Sequence, residues 1–256
     1  MDIRMIVTDL DGTLLRSDKT ISERTLRAFE RCRENGIVIG AATARSENSA
    51  RKYLDMLAPN IIISNGGATA RCFGEIVCKT MLDPQTVLGI IEMCMRFQPD
   101  GDITVETDSG YYWNYKEKPP SDSDYAYAIY SDFSDFDRSA YKITAELENE
   151  EDMRRIAAEF PSCECLSFTG EIWRRFAAVG ADKVSALKKI SERLGISAEN
   201  IAAFGDDYND VEMMKYCGLG VAMGNAVAEA KHAADVICGT NDSDGLAEFI
   251  EQKILN

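Results

Sequence analysis

Four aspartates stand in two short stretches near opposite ends of this 256-residue chain. Asp9 and Asp11 are two residues apart and precede Gly12, while Asp206 and Asp210 lie four residues apart near the other end. Four carboxylates gathered in one crevice would repel one another strongly unless a cation lay among them. Hard oxygen ligands that leave a coordination position open favour Mg²⁺. The pattern therefore predicts a magnesium site formed by these four aspartates.

Such a site has a definite chemistry. Asp9 becomes available as a nucleophile towards phosphorus, since carboxylates form aspartyl-phosphates in other phosphoryl-transfer enzymes. Asp11 is placed to protonate the leaving oxygen and later to deprotonate the attacking water. Thr43 and the backbone amides near Asp11 and Gly12 are expected to donate hydrogen bonds to the phosphoryl oxygens, and Lys183 is expected to neutralise their charge. A cation and a lysine would also let a chain of net charge −15 bind phosphate.

These side chains stand at the ends of predicted elements. Apolar, partly β-branched stretches predict buried strands at residues 3–8, 37–42 and 201–204, and a helix is predicted over 182–194. Taken singly, an acidic pair, a threonine after a strand or a helix lysine is usually a turn, a cap or a solvated side chain. Parallel strands place their carboxyl ends at one edge of a sheet, where ligands bind. Because all of these side chains occur at the ends of such elements, together they predict a single catalytic site.

The same alternation of strands and helices predicts the fold class. It indicates a doubly wound, Rossmann-like parallel α/β sheet formed by residues 1–80 and 181–256. Residues 81–180 are rich in aromatics and turns and are expected to form an inserted α+β cap domain. The predicted elements of that insert are strands at 142–147, 163–168 and 171–178 and helices at 84–97 and 151–159.

Composition excludes several classes of function. The 43 acidic residues against 28 basic ones disfavour nucleic acid and anionic membranes as partners, and no apolar run reaches the ~18–20 residues of a membrane helix. Eight scattered cysteines indicate reduced thiols rather than disulfides or a zinc site. His232, the only histidine, follows Lys231 in a helix expected to be exposed, so the chain lacks the material for a Ser-His-Asp triad or a histidine metal site. We expect a cytoplasmic protein, either a monomer or a homodimer.

These residues, in this order, resemble the haloacid dehalogenase superfamily of aspartate-nucleophile phosphatases. Its four motifs are matched in turn by Asp9-Leu10-Asp11-Gly12-Thr13-Leu14, Thr43, Lys183 and residues 205–210. Secondary signatures of the Cof-type branch, subclass IIB, resemble residues 63–68, residues 220–226 and Asp244-Gly245-Leu246. The insert between the second and third motifs is similar to the large cap of that branch, the C2B type.

The resemblance implies that Asp9 is the nucleophile and Asp11 the general acid and base. The magnesium ligands it implies are the Asp9 side chain, the Asp11 backbone carbonyl and the Asp206 side chain, with Asp210 acting through water or as support. It also implies that Asn209 orients Lys183 or the phosphate. The implied substrate is a small phosphorylated metabolite, often a sugar phosphate and sometimes a flavin or pyridoxal phosphate.

The chain departs from the family pattern at two positions. Its second motif is Thr43-Ala44-Arg45, where the family usually has Thr-Gly-Arg, and Val184 follows Lys183 where glycine is usual. Ala44 keeps its backbone amide but lacks the conformational freedom of glycine. The expected phosphate-binding and substrate-binding residues are Thr43, Ala44, Arg45, Gly12, Asn209 and Lys183.

Two other functions fit the same residues. A sugar-phosphate mutase or phosphotransferase would pass the same aspartyl-phosphate to a hydroxyl group, and the sequence does not separate it from a phosphatase. A non-catalytic metabolite-binding protein is the alternative from a different class, although Asp9, Asp11, Lys183 and Asp206 are all present. Within the insert, Arg174 and Arg175 are candidates for contact with an anionic part of the substrate.

Overall fold

Short runs of apolar, often β-branched residues form most of the strands of this chain. A computed structural model describes residues 2–121, 123–167 and 172–256. The strands in these residues are β1 (Met5–Thr8), β2 (Val38–Ala42), β3 (Ile61–Ser64), β4 (Thr69–Cys72), β5 (Glu75–Lys79), β6 (Ile103–Glu106), β7 (Tyr111–Trp113), β8 (Ile129–Tyr130), β9 (Lys142–Glu146), β10 (Cys163–Ser167), β11 (Trp173–Ala178), β12 (Ile201–Gly205), β13 (Leu219–Ala222) and β14 (Val236–Ile237). The α-helices in these residues are α1 (Glu23–Glu34), α2 (Glu47–Leu57), α3 (Pro84–Phe97), α4 (Glu150–Glu159), α5 (Lys183–Leu194), α6 (Val211–Tyr216), α7 (Ala228–Ala233) and α8 (Gly245–Phe249).

The chain divides into two compact units, Met1–Lys79 with Asp182–Asn256 and Thr80–Ala181. The first unit contains one sheet, with strands in the order β14-β13-β12-β1-β2-β3-β4-β5 among the described residues. Pairing is parallel from β14 to β3, and β4 and β5 add an antiparallel hairpin. The central strand β1 is buried along its whole length, as expected for a strand covered on both faces.

Capping residues mark the ends of helices in this unit, and the helix predicted over 182–194 corresponds to α5. Ser22 caps α1 by accepting a hydrogen bond from the backbone N–H of Thr25 at 3.0 Å, and Asp182 caps α5 by accepting one from Ser185 at 2.8 Å. Gly195 ends α5 in a left-handed conformation with φ 61°. At the C-terminal end of the unit, α8 continues into a π-helical turn over Ile250–Ile254.

The second unit is a six-stranded sheet, in the order β10-β11-β9-β6-β7-β8 among the described residues, with α3 and α4. Its strands pair antiparallel except for the parallel pair β7 and β8. Alternate residues of the central strands, such as Val105, Ile143 and Phe176, form a core with α3 and α4.

The predicted α/β class, a parallel core with an inserted α+β unit, is confirmed. The predicted strands at 142–147, 163–168 and 171–178 correspond to β9, β10 and β11, and residues 168 and 171 lie outside the described residues. Strands β6, β7 and β8 were not predicted from the sequence. None of the helices in the described part of the chain combines the length and apolar character needed to cross a bilayer.

Candidate active site

The carboxyl ends of three neighbouring parallel strands carry the predicted site residues. Asp9 follows β1, Asp206 follows β12 and Thr43 follows β2. The backbone N–H of Asp9 donates to the carbonyl of Phe204 in β12 at 3.0 Å, and that of Thr43 donates to Ile63 at 2.8 Å. The sheet register therefore places these residues along one edge of the core sheet, as the topology requires.

Lys183 links two of the aspartates in the interior. Its ammonium lies 2.5 Å from Asp9 Oδ1 and 2.7 Å from Asp210 Oδ1, and all three residues are buried. Burial acts to lower the pKa of Lys183, but the charges of Asp210 and Asp9 outweigh it and raise that pKa. Burial raises the pKa of Asp9, Lys183 opposes the shift, and the charges of Asp210 and Asp206 add to it. Lys183 is therefore a charged lysine between two carboxylates.

Asp210 also organises the loop that carries Asp206. Its Oδ2 accepts hydrogen bonds from the backbone N–H groups of Asp206 and Asp207, at 3.0 and 3.1 Å. A side chain at Gly205 would overlap Asp210, since a Cβ there would lie 2.3 Å from the Asp210 Cβ. Asp210 thus fixes the position of Asp206 and of the Lys183 ammonium together.

Asp206 faces the loop that follows Asp9. The hydroxyl of Thr13 donates to Asp206 Oδ1 at 2.6 Å. Gly12 has φ +77°, and a Cβ at this position would lie 2.2 Å from Asp206 Oδ2, so only glycine fits. Burial raises the pKa of Asp206 to about 7, with Thr13 opposing the shift and the charges of Asp210 and Asp207 adding to it.

Asp9, Asp206 and Asp210 form a cluster suited to a cation. One carboxylate oxygen from each lies within 4.8 Å of the others. The donors are all hard oxygens, and the charges of Asp210 and Asp207 add to the burial that raises the pKa of Asp206, so a cation among these carboxylates would offset their repulsion. Both observations fit Mg²⁺. Three of the four aspartates predicted as ligands therefore contribute side chains to the cluster.

The side chain of the fourth, Asp11, belongs to a different group. Arg45 binds it with two hydrogen bonds, Nε to Oδ2 at 2.6 Å and a terminal nitrogen to Oδ1 at 2.9 Å. The ammonium of Lys19 lies 2.8 Å from Oδ1. Burial acts to raise the pKa of Asp11, but the hydrogen bonds and charges of Arg45 and Lys19 lower it to about 2. Asp11 is thus an ionised carboxylate held by two cations, and its side chain is 37% exposed.

Lys19 was missed in the sequence analysis. It lies in the turn after the first motif, in a left-handed conformation with φ 61° that is uncommon for a residue other than glycine. The turn is closed by the Lys19 N–H, which donates to the carbonyl of Arg16 at 2.9 Å. A lysine in a polar turn is ordinarily solvated, so only the backbone conformation reveals that this one reaches Asp11.

The loop with Thr43, Ala44 and Arg45 is supported by the residues after β3. The backbone N–H groups of Asn65 and Gly66 donate to the carbonyls of Arg45 and Thr43, at 2.8 and 2.9 Å. The Thr43 hydroxyl is turned inward and accepts from the Arg45 N–H at 3.1 Å. This gives a physical role to the secondary signature at residues 63–68.

The same turn also reaches the helix that carries Lys183. Gly67 has φ +107°, and a Cβ there would lie 2.1 Å from the backbone of Asp182. The turn therefore packs directly against the first residue before α5, which fixes Lys183 relative to Thr43 and Arg45.

The structure also gives the positions of Asn209 and of the two candidate arginines in the insert. Asn209 is half-buried in a short 3₁₀ turn, and among the described contacts the Lys183 ammonium binds Asp9 and Asp210 rather than Asn209. In the insert, Arg174 and Arg175 are both buried on β11, and Arg175 donates to the carbonyl of Ala181 at 2.8 Å. The orientation of Lys183 thus depends on carboxylates, and these arginines have structural contacts of their own.

Known proteins share both the sequence pattern and the fold. The family profile of the haloacid dehalogenase-like hydrolases matches residues 6–250. The 5-amino-6-(5-phospho-D-ribitylamino)uracil phosphatase YitU of Bacillus subtilis is 28% identical, with 97% of this chain and 96% of that one aligned. The pyridoxal phosphate phosphatase YbhA of Escherichia coli is 28% identical over the full length of both chains. A solved subclass IIB sugar phosphatase, 21% identical, superposes with a TM-score of 0.85 over 99% of this chain and 100% of that one.

The family match spans nearly the whole chain, and the structural match shows the same fold with its inserted unit. The four motifs predicted from the sequence occur within the matched residues. This protein therefore belongs to the haloacid dehalogenase-like hydrolases and is a phosphoric monoester hydrolase of their Cof-type branch.

Proposed function

We propose that the protein hydrolyses a small phosphorylated metabolite by transferring the phosphoryl group first to Asp9 and then to water. The observation that carries this proposal is the buried contact of Asp9 with Lys183, beside the Asp206 and Asp210 carboxylates. A carboxylate next to a fixed cation at a sheet edge is arranged for attack on an anionic phosphoryl group.

In the first step, an oxygen of Asp9 forms a bond to phosphorus while the bond from phosphorus to the ester oxygen breaks. Asp11 donates a proton to the departing oxygen, which leaves as an alcohol. In the second step Asp11 takes a proton from water, the water oxygen attacks phosphorus, and Asp9 is released with inorganic phosphate. Lys183 balances the negative charge on the phosphoryl oxygens during both steps.

Asp11 must gain a proton before the first step. Its contacts with Arg45 and Lys19 favour the ionised carboxylate, so we propose that substrate binding draws these two cations towards the phosphate. Arg45 is well suited to this change, since its guanidinium binds carboxylate and phosphate with the same two-pronged geometry.

Mg²⁺ would be held by Asp9 and Asp206, with Asp210 behind them. When bound, the ion supplies positive charge that polarises the phosphoryl oxygens and offsets the mutual repulsion of the carboxylates. The arrangement of Thr13 and Asp210 around Asp206 keeps that carboxylate directed into the cluster.

The inserted unit is proposed to act as a cap that selects the substrate. The names of the relatives indicate phosphomonoesters of a ribitylamino-uracil and of pyridoxal as substrates of those proteins. We propose a substrate of the same size class, a phosphomonoester of a sugar, a sugar alcohol or a small heteroaromatic alcohol. A cytoplasmic location and a monomeric or dimeric state remain predictions.

Hydrolysis of an aryl phosphate by the purified protein, with Mg²⁺ present, is the direct test of this function. We expect release of inorganic phosphate that stops on addition of a chelator and in the variant Asp9→Asn. Activity that survives both changes would rule out the mechanism.

A panel of phosphorylated metabolites then identifies the substrate class. Formation of an isomeric sugar phosphate instead of free phosphate would identify a mutase. Binding of metabolites without turnover would identify a non-catalytic protein.

A further inference from the structure

The peptide group between Gly12 and Thr13 is held at both of its polar atoms. The Gly12 carbonyl accepts a hydrogen bond from Asn225 Nδ2 at 2.8 Å, and the Thr13 N–H approaches the carbonyl of Leu10 at 3.4 Å. Asp206 lies directly against Gly12, where it leaves no room for a side chain. The orientation of this peptide is therefore set by a local turn hydrogen bond together with contacts from the distant residues Asn225 and Asp206.

Asn225 is itself held in place by a second asparagine. Its Oδ1 accepts a hydrogen bond from the backbone N–H of Asn241 at 3.0 Å. The side chain of Asn241 donates to the carbonyl of Leu15 at 2.9 Å. The two asparagines thus contact the loop after the nucleophile at two points, Gly12 and Leu15.

The turn that carries Asn225 is anchored to the strand end that carries Asp206. The backbone N–H of Met223 donates to the carbonyl of Gly205 at 3.0 Å, and that of Val227 donates to the carbonyl of Asp206 at 2.9 Å. Asn225 therefore connects the loop of the first motif to the loop of the fourth, independently of the hydrogen bond between Thr13 and Asp206.

Packing does not explain the presence of asparagine at this position. Asn225 is exposed, and it lines a polar cavity of about 460 Å³ between the loop at residues 12–19 and the segment at residues 240–242. Its removal would create no buried void, so the effect of a substitution would report on hydrogen bonding alone.

We propose that Asn225 is a positioning residue for phosphoryl transfer, and this proposal rests on the function proposed above. By holding the Gly12 carbonyl, Asn225 keeps residues 11–13 in the conformation in which Thr13 orients Asp206 and the Asp11 side chain can reach the leaving oxygen. Small errors in the placement of reacting groups reduce the rate of transfer more than they reduce binding.

Two variants and a matched control test this role. Asn225→Ala removes both hydrogen bonds, and Asn225→Asp keeps the acceptor for Asn241 while it places an oxygen against the Gly12 carbonyl. Ser17→Ala is the control, because its hydroxyl donates to Asp242 at 2.7 Å in the same loop without contact to Gly12.

With an aryl phosphate and saturating Mg²⁺, we expect kcat to fall about tenfold in both Asn225 variants while KM changes less than about twofold. The fall should be at least as large in Asn225→Asp as in Asn225→Ala. Ser17→Ala should stay within about twofold of the wild type, and the melting temperature of all three variants should be unchanged. A full kcat in Asn225→Ala, or a fall in kcat matched by a fall in melting temperature, overturns the proposal.

Amide hydrogen exchange provides a readout that does not depend on activity. In ¹⁵N-labelled protein we expect faster exchange or a shifted resonance for Thr13 in Asn225→Ala, and no such change in Ser17→Ala. Unchanged Thr13 amides would overturn the positioning role even in an active enzyme. A wild type that lacks Mg²⁺-dependent hydrolysis would instead refute the proposed function, so the two failures are distinguishable.

Discussion

The two aspartates of the first motif lie in contrasting environments. Asp9 is on a buried side of the site, where it contacts the Lys183 ammonium at 2.5 Å, and Lys183 in turn contacts the buried Asp210. Asp11 is on an open side, where Lys19 and Arg45 bind a carboxylate that water also reaches. In the mechanism proposed above, Lys183 must keep its charge and is enclosed, whereas Asp11 must gain and lose a proton and is partly exposed. The following experiments test that contrast.

Asp9→Asn should have the largest effect on activity. The amide keeps the size of the side chain but is a far poorer nucleophile, so we expect kcat to fall at least about 10³-fold, or roughly 4 kcal/mol in the barrier. Steady-state hydrolysis of an aryl phosphate measures it. Retention of more than a tenth of the activity would show that Asp9 does not attack phosphorus.

Lys183→Met should affect both activity and stability. It leaves Asp9 and Asp210 as buried carboxylates without their cation, which costs roughly 3–5 kcal/mol of unfolding free energy, and we expect kcat to fall about 10²-fold or more. Denaturant unfolding and kinetics measure the two effects. Lys189 is an exposed lysine on the same helix, and Lys189→Met is the control. It should leave both kcat and the free energy of unfolding nearly unchanged.

Changes on the open side should be smaller and should leave the fold intact. We expect Arg45→Ala to lower kcat/KM about tenfold, because its guanidinium is proposed to bind the phosphate. Lys19→Ala should lower kcat/KM only about twofold to threefold, because exposed ion pairs contribute about 0.2–1 kcal/mol. The melting temperature should change little in either variant. A loss of stability as large as that of Lys183→Met would contradict the distinction between the two sides.

The smallest effect is a dependence of Mg²⁺ binding on pH. The raised pKa of Asp206, about 7, means that the folded, metal-free protein keeps a proton that the unfolded chain has already lost. Stability of the metal-free protein therefore falls as pH rises from about 4 to 7. Mg²⁺ requires the ionised carboxylate, so its addition should raise the melting temperature more at about pH 8 than at about pH 5.5. Asp206→Asn should remove this difference.

Much of the core site is predictable from sequence because parallel topology determines where strand ends meet. Residues after β1, β2 and β12 converge at one sheet edge whatever the details of packing. This is why Asp9, Asp206 and Thr43 were placed correctly without coordinates. Helix α5 is equally predictable from the sequence, since the capping residues Asp182 and Gly195 mark its two ends.

The features that were missed depend on single backbone conformations or on distant hydrogen bonds. Lys19 lies in a turn with a positive φ and contacts Asp11 across eight residues of chain, and a sequence pattern reveals neither feature. The separation of Asp11 from the carboxylate cluster depends on Arg45, which lies 34 residues away in the chain. Strands β6, β7 and β8 are only four, three and two residues long, so hydrophobic periodicity did not distinguish them from loops.

The close approach of Gly67 to Asp182 determines how far the position of Lys183 depends on the inserted unit. The chain leaves the core at Lys79 and rejoins it at Asp182, and the point of return is fixed by a backbone contact within the core itself. The location of Lys183 is consequently set by contacts within the core rather than by the hundred or so residues between those two points. An insert of different length or sequence could therefore replace this one without displacing Lys183 from the sheet edge.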